Sequence, residues 1–457
     1  MSTTNIGATI ISGSQSTSDS GGLGSGIDVS SLVQASLAPQ TAELTILQGD
    51  QTTITNQQTA LNSFNNDLQT LQTAVFSLTD PAGQLTNVDA ASSNSAVLTA
   101  SASAGTPSGS HTITVTALAS TSSAYSNAVA TSSTPIATGT LSIQVGTNTA
   151  VPITINGTNN TLDGLAQTIN NTANLGVTAS VITDANGARL ALVSNTSGAT
   201  GNLTITPSAG VVGFNTGVTG ANAALNVDGI PISSTTNTVS GAIPGVTLNL
   251  TGLTGGTPVS VTTSPDASQQ ESAINSFVSA YNTVIGDINT QSAVNATTGQ
   301  IGPLGTDTTL ALAQGELLSA TSFSQTGNGN VNSLADLGIS FNNDGTLTVN
   351  SGSLATALQS NPTAVGAFFQ GATTGNFGTN LTTVLNNIAN PISGAVASDI
   401  AGLAQSQTSI TQQISDFQAQ LATTQQQLTA QYVQVDTTLQ ELPELLDQIN
   451  QQLSSLG

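Results

Sequence analysis

The sequence predicts an α+β multidomain protein whose terminal helices form a coiled-coil-like rod or leg, with β-rich head domains nested between them. Near both ends of the chain, apolar residues recur every seven positions, which is typical of long helices that pack along one seam. The middle of the chain instead alternates apolar and polar residues in short runs separated by Gly, Asn and Asp turns. The simplest partner for one seam is the other, so we expect the two ends of the chain to run together.

The N-terminal segment is predicted to be a flexible tip followed by helices. Residues 1–26 are rich in Ser, Thr and Gly and show no hydrophobic period. A helix is expected from Asp28, which suits an N-cap, and Pro39 is expected to interrupt that helix. The first seam follows in a second, longer helix and consists of Leu47, Ile54, Leu61, Leu68 and Val75.

The C-terminal segment carries the matching seam. One heptad position holds Ile414, Leu421, Leu428 and Val435, and Leu442 and Ile449 continue it. Pro443 predicts a kink or the first turn of a new helix. Heptads that pair within a chain look the same as heptads that pair between chains, so the number of copies in any assembly stays open.

The central region is predicted to fold as two β-rich heads. "DANGARLALVS" predicts a hairpin with a tight turn at Asn186–Gly187, and "TLDGLAQTINN" predicts one short helix. Helices return after residue 270, with a further hairpin at "LGISFNNDGTLTVN". We therefore expect four units: a tip and leg helix at 1–42 paired with 432–457, a helical leg domain at 43–80 plus 270–431, a head at 81–130 plus 221–269, and an outer head at 131–220.

The charge balance excludes several classes of function. The 457 residues include 23 acids, a single Arg189 and no lysine. Binding to nucleic acid or to anionic lipid needs basic residues, so neither is expected, and no segment is apolar enough to predict membrane insertion. The chain also has no cysteine, which is usual for a large cytosolic protein but also suits a protein that is exported unfolded.

Few residues are candidates for chemistry. The glycines Gly21, Gly22, Gly24 and Gly26 precede a helix, but no strand or lysine accompanies them, so a flexible joint is favoured over a phosphate loop. His111 stands alone and is expected to be an ordinary strand-end histidine rather than a zinc ligand. Arg189 is expected to pair with Asp184 across the hairpin, although a role at an interface stays open. We predict no enzyme activity, no cofactor and no metal site.

Several motifs together resemble one family. "GLGSGIDVSSLVQASL" near the N-terminus is similar to the opening signature of the flagellar filament cap family, also called flagellar hook-associated protein 2. "VITDANGARLALVSNTSGATGNLTI" looks like a repeat shared by flagellin and hook-associated heads. "LNVDGIPISSTTNTVSGAIPGVTLNL" and "NSLADLGISFNNDGTLTVN" resemble later segments of the family, in family order. The similarity extends over nearly the whole chain.

The resemblance implies a homo-oligomeric ring at the distal, extracellular tip of the flagellum, exported without a cleaved signal peptide. Legs would face the filament end, and heads would form a plate that retains flagellin and promotes its polymerisation. The four glycines at 21–26 would act as a hinge. The leg ends that meet other subunits would be Ile27, Leu32, Leu37, Leu446, Ile449 and Leu453.

The implied partners are further copies of the chain, flagellin, the hook–filament junction proteins, and the export apparatus with an export chaperone. Two alternatives stay open: another flagellar axial or junction protein, and a cell-surface adhesin that binds glycans.

The family usually contains ordinary numbers of Lys and Arg, so ion pairs at its interfaces cannot be transferred to this chain. We hypothesise that protonation of its carboxylates in an acidic medium relieves their repulsion. This hypothesis predicts a higher melting temperature and more complete ring assembly at pH 4 than at pH 7.

Overall fold

The structure, a computed structural model, describes residues 28–370 and 375–454. Its longest helices lie towards the two ends of the chain: α1 spans Val29–Thr79 and α8 spans Ala395–Ser454. Six shorter helices lie between them: α2 (Leu162–Asn170), α3 (Ala267–Ser292), α4 (Thr308–Thr321), α5 (Ser351–Ser360), α6 (Pro362–Gln370) and α7 (Phe377–Ala389). Together with the strands between them, these helices confirm the predicted α+β class.

The described residues form five sheets. The inner head contains a five-stranded sheet and a three-stranded sheet, made from β1 (Val88–Ser92), β2 (Leu98–Ala102), β3 (Gly109–Ala117), β11 (Ala223–Val227), β12 (Ile230–Ser234), β13 (Thr238–Ile243), β14 (Val246–Leu250) and β15 (Val259–Pro265). The outer head contains β4 (Thr121–Ser126), β5 (Gly139–Val145), β6 (Val151–Ile155), β7 (Val177–Asp184), β8 (Gly187–Ser197), β9 (Leu203–Pro207) and β10 (Phe214–Val218). A hairpin of β16 (Ile339–Phe341) and β17 (Leu347–Val349) lies among the later helices. Both predicted hairpins are present, and α2 is the predicted short helix. The turn of the β7–β8 hairpin lies at Ala185 and Asn186, one residue before the predicted Asn186–Gly187, because Asp184 pairs directly with Gly187.

The outer helices α1 and α8 pack antiparallel as a rod. Asp28 caps α1 by accepting hydrogen bonds from the backbone N–H groups of Ser30 and Ser31. Uncharged side chains join the two helices: Ser36 lies 2.9 Å from the Tyr432 hydroxyl, and Gln51 donates to Thr411 at 2.9 Å. The rod cluster beneath these bonds is apolar and includes Val33, Leu37, Leu44, Ile410, Ile414 and Leu421. The two ends of the described chain therefore run together, as the seams predicted.

The helix α1 continues through Pro39, where the sequence predicted an interruption. Proline lacks an N–H, so the carbonyl of Ala35 loses its usual donor within the helix. Both residues are exposed, whereas Val33 and Leu37 face the rod cluster, so water can hydrogen-bond that carbonyl. Packing of the opposite face holds the helix together. Pro443 likewise lies on an exposed part of α8 without ending it.

The first seam divides between two cores. Leu47 and Ile54 pack in the rod cluster, beside Ile414, Leu421 and Leu428 of the second seam. Leu61, Leu68 and Val75 are buried instead in a second apolar core, which we call the leg cluster and which also contains residues of α3, of α7 and of the start of α8, such as Val396. Val435 is 50% exposed. The change from rod to leg core thus falls between Ile54 and Leu61, later in the chain than the division after residue 42.

The two heads have separate apolar cores, and the strand β4 belongs to a sheet of the outer head. β4 pairs with β8 and β10, and Ser126 Oγ accepts a hydrogen bond from the Leu190 N–H. The chain passes between the heads where Ser120 and Ala221 form an isolated bridge. The boundary on the N-terminal side therefore lies near residue 120 and not at 130, because alternation predicts a strand but not the sheet it joins.

A candidate assembly surface at the end of the rod

The last part of α8 exposes a continuous apolar stripe. We call it the terminal stripe, and it consists of Val435, Leu439, Leu442, Leu446, Ile449 and Leu453. These residues follow one another at intervals of three or four, so they lie along one side of the helix. Each is between 39% and 64% exposed. The stripe continues the heptad register of residues that are buried in the rod, which makes it a candidate interaction surface.

The predicted leg contacts fall in different places. Leu446, Ile449 and Leu453 belong to the terminal stripe, and Leu32 is 39% exposed on α1. Leu37 is 8% exposed and packs inside the rod cluster, near Leu428 and Tyr432. Ile27 and the four predicted hinge glycines at 21–26 lie outside the described residues. The sequence-based list omitted Leu439 and Leu442, although their heptad positions indicated the same face.

Charge around the terminal stripe is entirely negative. Glu441, Glu444 and Asp447 lie on the same stretch of α8, and no basic residue occurs in it. Most of the molecule's acids lie outside the heads, because residues 81–265 contain only Asp89, Asp163, Asp184 and Asp228 of the total of 23. The rod and leg domain are therefore acidic, whereas the heads are nearly neutral.

His111 and Arg189, the two side chains considered above for a chemical role, each pair with an aspartate. His111 Nδ1 lies 2.7 Å from Asp228 Oδ2, and Asp228 Oδ1 accepts from the Thr112 N–H at 2.8 Å. Arg189 Nε donates to Asp184 at 3.2 Å, as expected from the hairpin. These pairs hold the turn after β11 and the β7–β8 hairpin. In residues 28–370 and 375–454, no three side chains of the metal-ligating types converge.

Six aspartates form hydrogen bonds that hold their pKa below the ordinary value of 3.8: Asp28, Asp184, Asp228, Asp266, Asp336 and Asp344. In every case the largest cause is a hydrogen bond donated to the carboxylate, such as that from Ser268 to Asp266. Asp67 is the opposite case, because burial, and then the nearby Asp287, raise its pKa. Protonation of the six aspartates with lowered pKa values would therefore remove hydrogen bonds that their carboxylates accept in the folded state.

The direction of these shifts predicts loss of stability in acid. A carboxyl with a depressed folded-state pKa stabilises the protein above its unfolded pKa, and this contribution is lost as the pH falls through the folded-state pKa. We expect the Tm to be lower at about pH 3 than at about pH 5. Asp266→Asn, which keeps a capping side chain, should reduce the loss slightly. Thermal melts across this range check the prediction, and a higher Tm at about pH 3 would favour relief of repulsion instead.

Three family models match this chain, and their order along it agrees with the nested arrangement of the domains. The family model described as the flagellar hook-associated protein 2 N-terminus matches residues 25–122, and the model of its C-terminus matches residues 220–444. The model described as the flagellin hook IN motif matches residues 140–196, within the outer head. The two terminal models thus bracket the outer head, as α1 and α8 bracket the sheets.

Full-length relatives and a solved structure agree with these models. The B-type flagellar hook-associated protein 2 of Pseudomonas aeruginosa is 29% identical, over 94% of this chain and 95% of that protein. The flagellar hook-associated protein 2 of Escherichia coli (strain K12) is 28% identical, over 95% and 97%. A crystal structure of the D1-D2-D3 domains of the flagellar cap protein FliD from Escherichia coli has a TM-score of 0.62 and 28% identity. The matched region covers 76% of this chain and 99% of the crystallised chain.

These matches bear on the kind of protein expected from the sequence. The family is a structural one, which confirms the prediction of a non-catalytic protein. Within the described ranges, no helix combines the length and apolarity needed to cross a membrane.

Proposed function

Since the chain belongs to the flagellar hook-associated protein 2 family, we propose that it caps the distal tip of a flagellar filament outside the cell. Copies would form a ring that retains exported flagellin and promotes its polymerisation. The observation that supports this role most directly is the terminal stripe, because a rod that ends in exposed apolar residues needs further subunits to cover them. The same matches favour a cap over a junction protein or an adhesin.

The arrangement of the domains suggests separate roles for the rod and for the heads. The rod of α1 and α8 would dock against the filament end through the terminal stripe and Leu32. The heads would lie above the legs, and the glycines at 21–26 would let the tip move. Export as an unfolded chain is compatible with the absence of cysteine. The proposed partners are other copies, flagellin, the hook–filament junction proteins, and the export apparatus with its chaperone.

The first experiment follows flagellin in a strain that lacks this gene. We expect flagellin monomers in the medium and loss of filaments, because subunits leaving the export channel would no longer be retained. Normal filaments with no flagellin in the medium would contradict the proposed cap function. Restoring the gene on a plasmid controls for effects on neighbouring genes.

Replacing the terminal stripe tests the docking role. We expect L446Q/I449Q/L453Q to keep the wild-type Tm within a few degrees, because the three side chains are exposed in the monomer. Loss of three interface anchors should nevertheless release about tenfold or more flagellin into the medium. Immunoblots of medium and sheared filaments measure this ratio.

A matched control uses exposed apolar residues of the leg domain. Val294, Leu312 and Leu318 are between 42% and 66% exposed, which is similar to the replaced stripe residues. The triple variant V294Q/L312Q/L318Q should retain flagellin as the wild type does. Equal leakage from both variants would indicate a general effect of lost surface hydrophobicity, and wild-type retention by the stripe variant would refute docking through this face.

A further inference from the structure

The helices α1 and α3 run antiparallel through the leg domain. Just after α1 ends, the Leu85 carbonyl accepts a hydrogen bond at 2.7 Å from the side chain of Gln270, at the start of α3. Further back along α1, Thr70 lines a groove together with Thr283, which lies in the second half of α3. These two contacts fix which residues of the two helices face each other.

Two aspartates lie one helical turn beyond Thr70 and Thr283. Asp67 precedes Thr70 by three residues on α1, and Asp287 follows Thr283 by four residues on α3. Residues three or four apart are neighbours on the surface of a helix, so the antiparallel arrangement brings the two carboxyls together. We call Asp67 and Asp287 the carboxyl pair.

The carboxyl pair is partly removed from water. Both aspartates are half-buried, and Asp287 Oδ2 is buried without a hydrogen-bond donor among the described residues. A buried carboxylate oxygen that lacks a donor costs free energy, because it has lost its water without gaining a partner. Burial of Asp67, followed by the negative charge of Asp287, raises the pKa of Asp67. The structure therefore disfavours a carboxyl pair in which both members are ionised.

The neighbouring elements offer the carboxyl pair no positive charge. The only arginine and the only histidine of the chain, Arg189 and His111, belong to the heads. The elements α5, α6, α7 and β17, which pack against α1 or α3, contain no ionisable side chain. The ionisable side chains on α3 itself, on α4, in the turn before β17 and in the first turns of α8 are Glu271, Tyr281, Glu316, Asp344 and Asp399. The carboxyl pair can thus be relieved by a proton but not by an ion pair within the chain.

We propose that the carboxyl pair is a proton-dependent clamp between α1 and α3. As the medium becomes more acidic, Asp67 takes up one proton from water and donates it in a hydrogen bond to the Asp287 carboxylate. A repulsion between two charges is thereby replaced by a charge-assisted hydrogen bond, which tightens the contact between the helices. Because α1 continues into the rod, the clamp also holds the rod more firmly to the leg domain. This inference goes beyond the proposed cap function and does not depend on it.

The clamp acts in a different pH range from the six aspartates with lowered pKa values. Above its raised folded-state pKa, Asp67 is ionised and destabilises the leg domain, and this penalty disappears as the pH falls towards the ordinary value of 3.8. The six aspartates lose their stabilising contribution only below that value. The contribution of the clamp should therefore rise between about pH 7 and about pH 4, before the other carboxylates begin to lose theirs.

Urea unfolding of the purified full-length protein, followed by tyrosine fluorescence, tests the clamp. Asp67→Asn cannot ionise and keeps a donor for Asp287. We expect its ratio of folded to unfolded protein to exceed that of the wild type about threefold or more at about pH 7, and to equal it at about pH 4. Asp287→Asn removes the same repulsion, so D67N/D287N should gain little beyond the better single variant.

Asp50→Asn is the matched control. Asp50 is an exposed carboxyl on the rod part of α1, and its replacement changes the net charge by the same amount. This variant should stay within about twofold of the wild type at both pH values. The proposal is overturned if Asp67→Asn is no more stable than Asp50→Asn at about pH 7. It is also overturned if the gains of the two clamp variants add in full, because carboxyls that do not interact give additive effects.

Discussion

Replacing Phe377 with alanine is expected to lower the free energy of unfolding of the leg domain by about 4 kcal/mol, which is typical of a buried phenylalanine. Phe377 begins α7 and is 1% exposed. Its ring stacks on Phe368 with centroids 4.9 Å apart, and it meets Phe369 and Phe277 edge-on at 5.5 and 6.0 Å. The truncation would leave a cavity among three rings that are themselves held by α3 and α6, so the site cannot collapse easily.

Urea unfolding followed by tyrosine fluorescence measures this change. The protein has no tryptophan, and Tyr281 lies in the same core, with its ring centroid 6.3 Å from that of Phe277. Phe76→Ala is the matched control, because Phe76 is 64% exposed and its loss should change the stability by less than about 0.5 kcal/mol. A loss below about 1 kcal/mol for Phe377→Ala would show that the aromatic cluster is not the centre of the leg core.

Gly378→Ala is expected to have the next largest effect, a loss of about 3 kcal/mol. Gly378 is buried in the first turn of α7. A Cβ at this position would overlap the Phe369 carbonyl oxygen and lie 2.6 Å from Thr79 Cγ2 at the end of α1. The backbones of α6 and α7 would have to separate, and the contact with α1 would loosen. This strain exceeds the gain of about 1 kcal/mol that alanine brings to a helix.

Gly402→Ala provides a control of opposite sign. Gly402 lies in α8, and an added Cβ would have no heavy atom within 4 Å. The substitution should therefore stabilise the protein by about 0.5–1 kcal/mol through helix propensity alone. The same urea titrations compare the two variants. If Gly378→Ala were neutral, the approach of α7 to Phe369 and Thr79 would be looser than the structure indicates.

Several features could be predicted from local pattern. The heptads located both terminal helices, and Asn186–Gly187 indicated the β7–β8 hairpin, whose turn lies one residue earlier. Asp184 was predicted to pair with Arg189 because a hairpin places their strands side by side. Each of these predictions depends on residues that are close in sequence or on a period that repeats along one element. Such signals need no knowledge of the remaining fold.

Other features depended on distant partners. The seam residues Leu61, Leu68 and Val75 have the same period as Leu47 and Ile54, yet the former lie in a core shared with α3 and α7, whereas the latter pack against α8 alone in the rod cluster. Likewise, β4 has an ordinary strand pattern, and its pairing with β8 decides the head to which it belongs. An apolar period indicates that a face is covered but not which element covers it.

The candidate surfaces divide in the same way. The sequence alone determined that a heptad stripe runs through Leu446, Ile449 and Leu453, and that one arginine and no lysine are available for ion pairs. Only the tertiary structure decided that this stripe is exposed while Leu37 is buried. The physical reason is that side-chain periodicity follows from backbone geometry within one element. Exposure depends instead on the area that other elements remove from water, and those elements are distant in the chain.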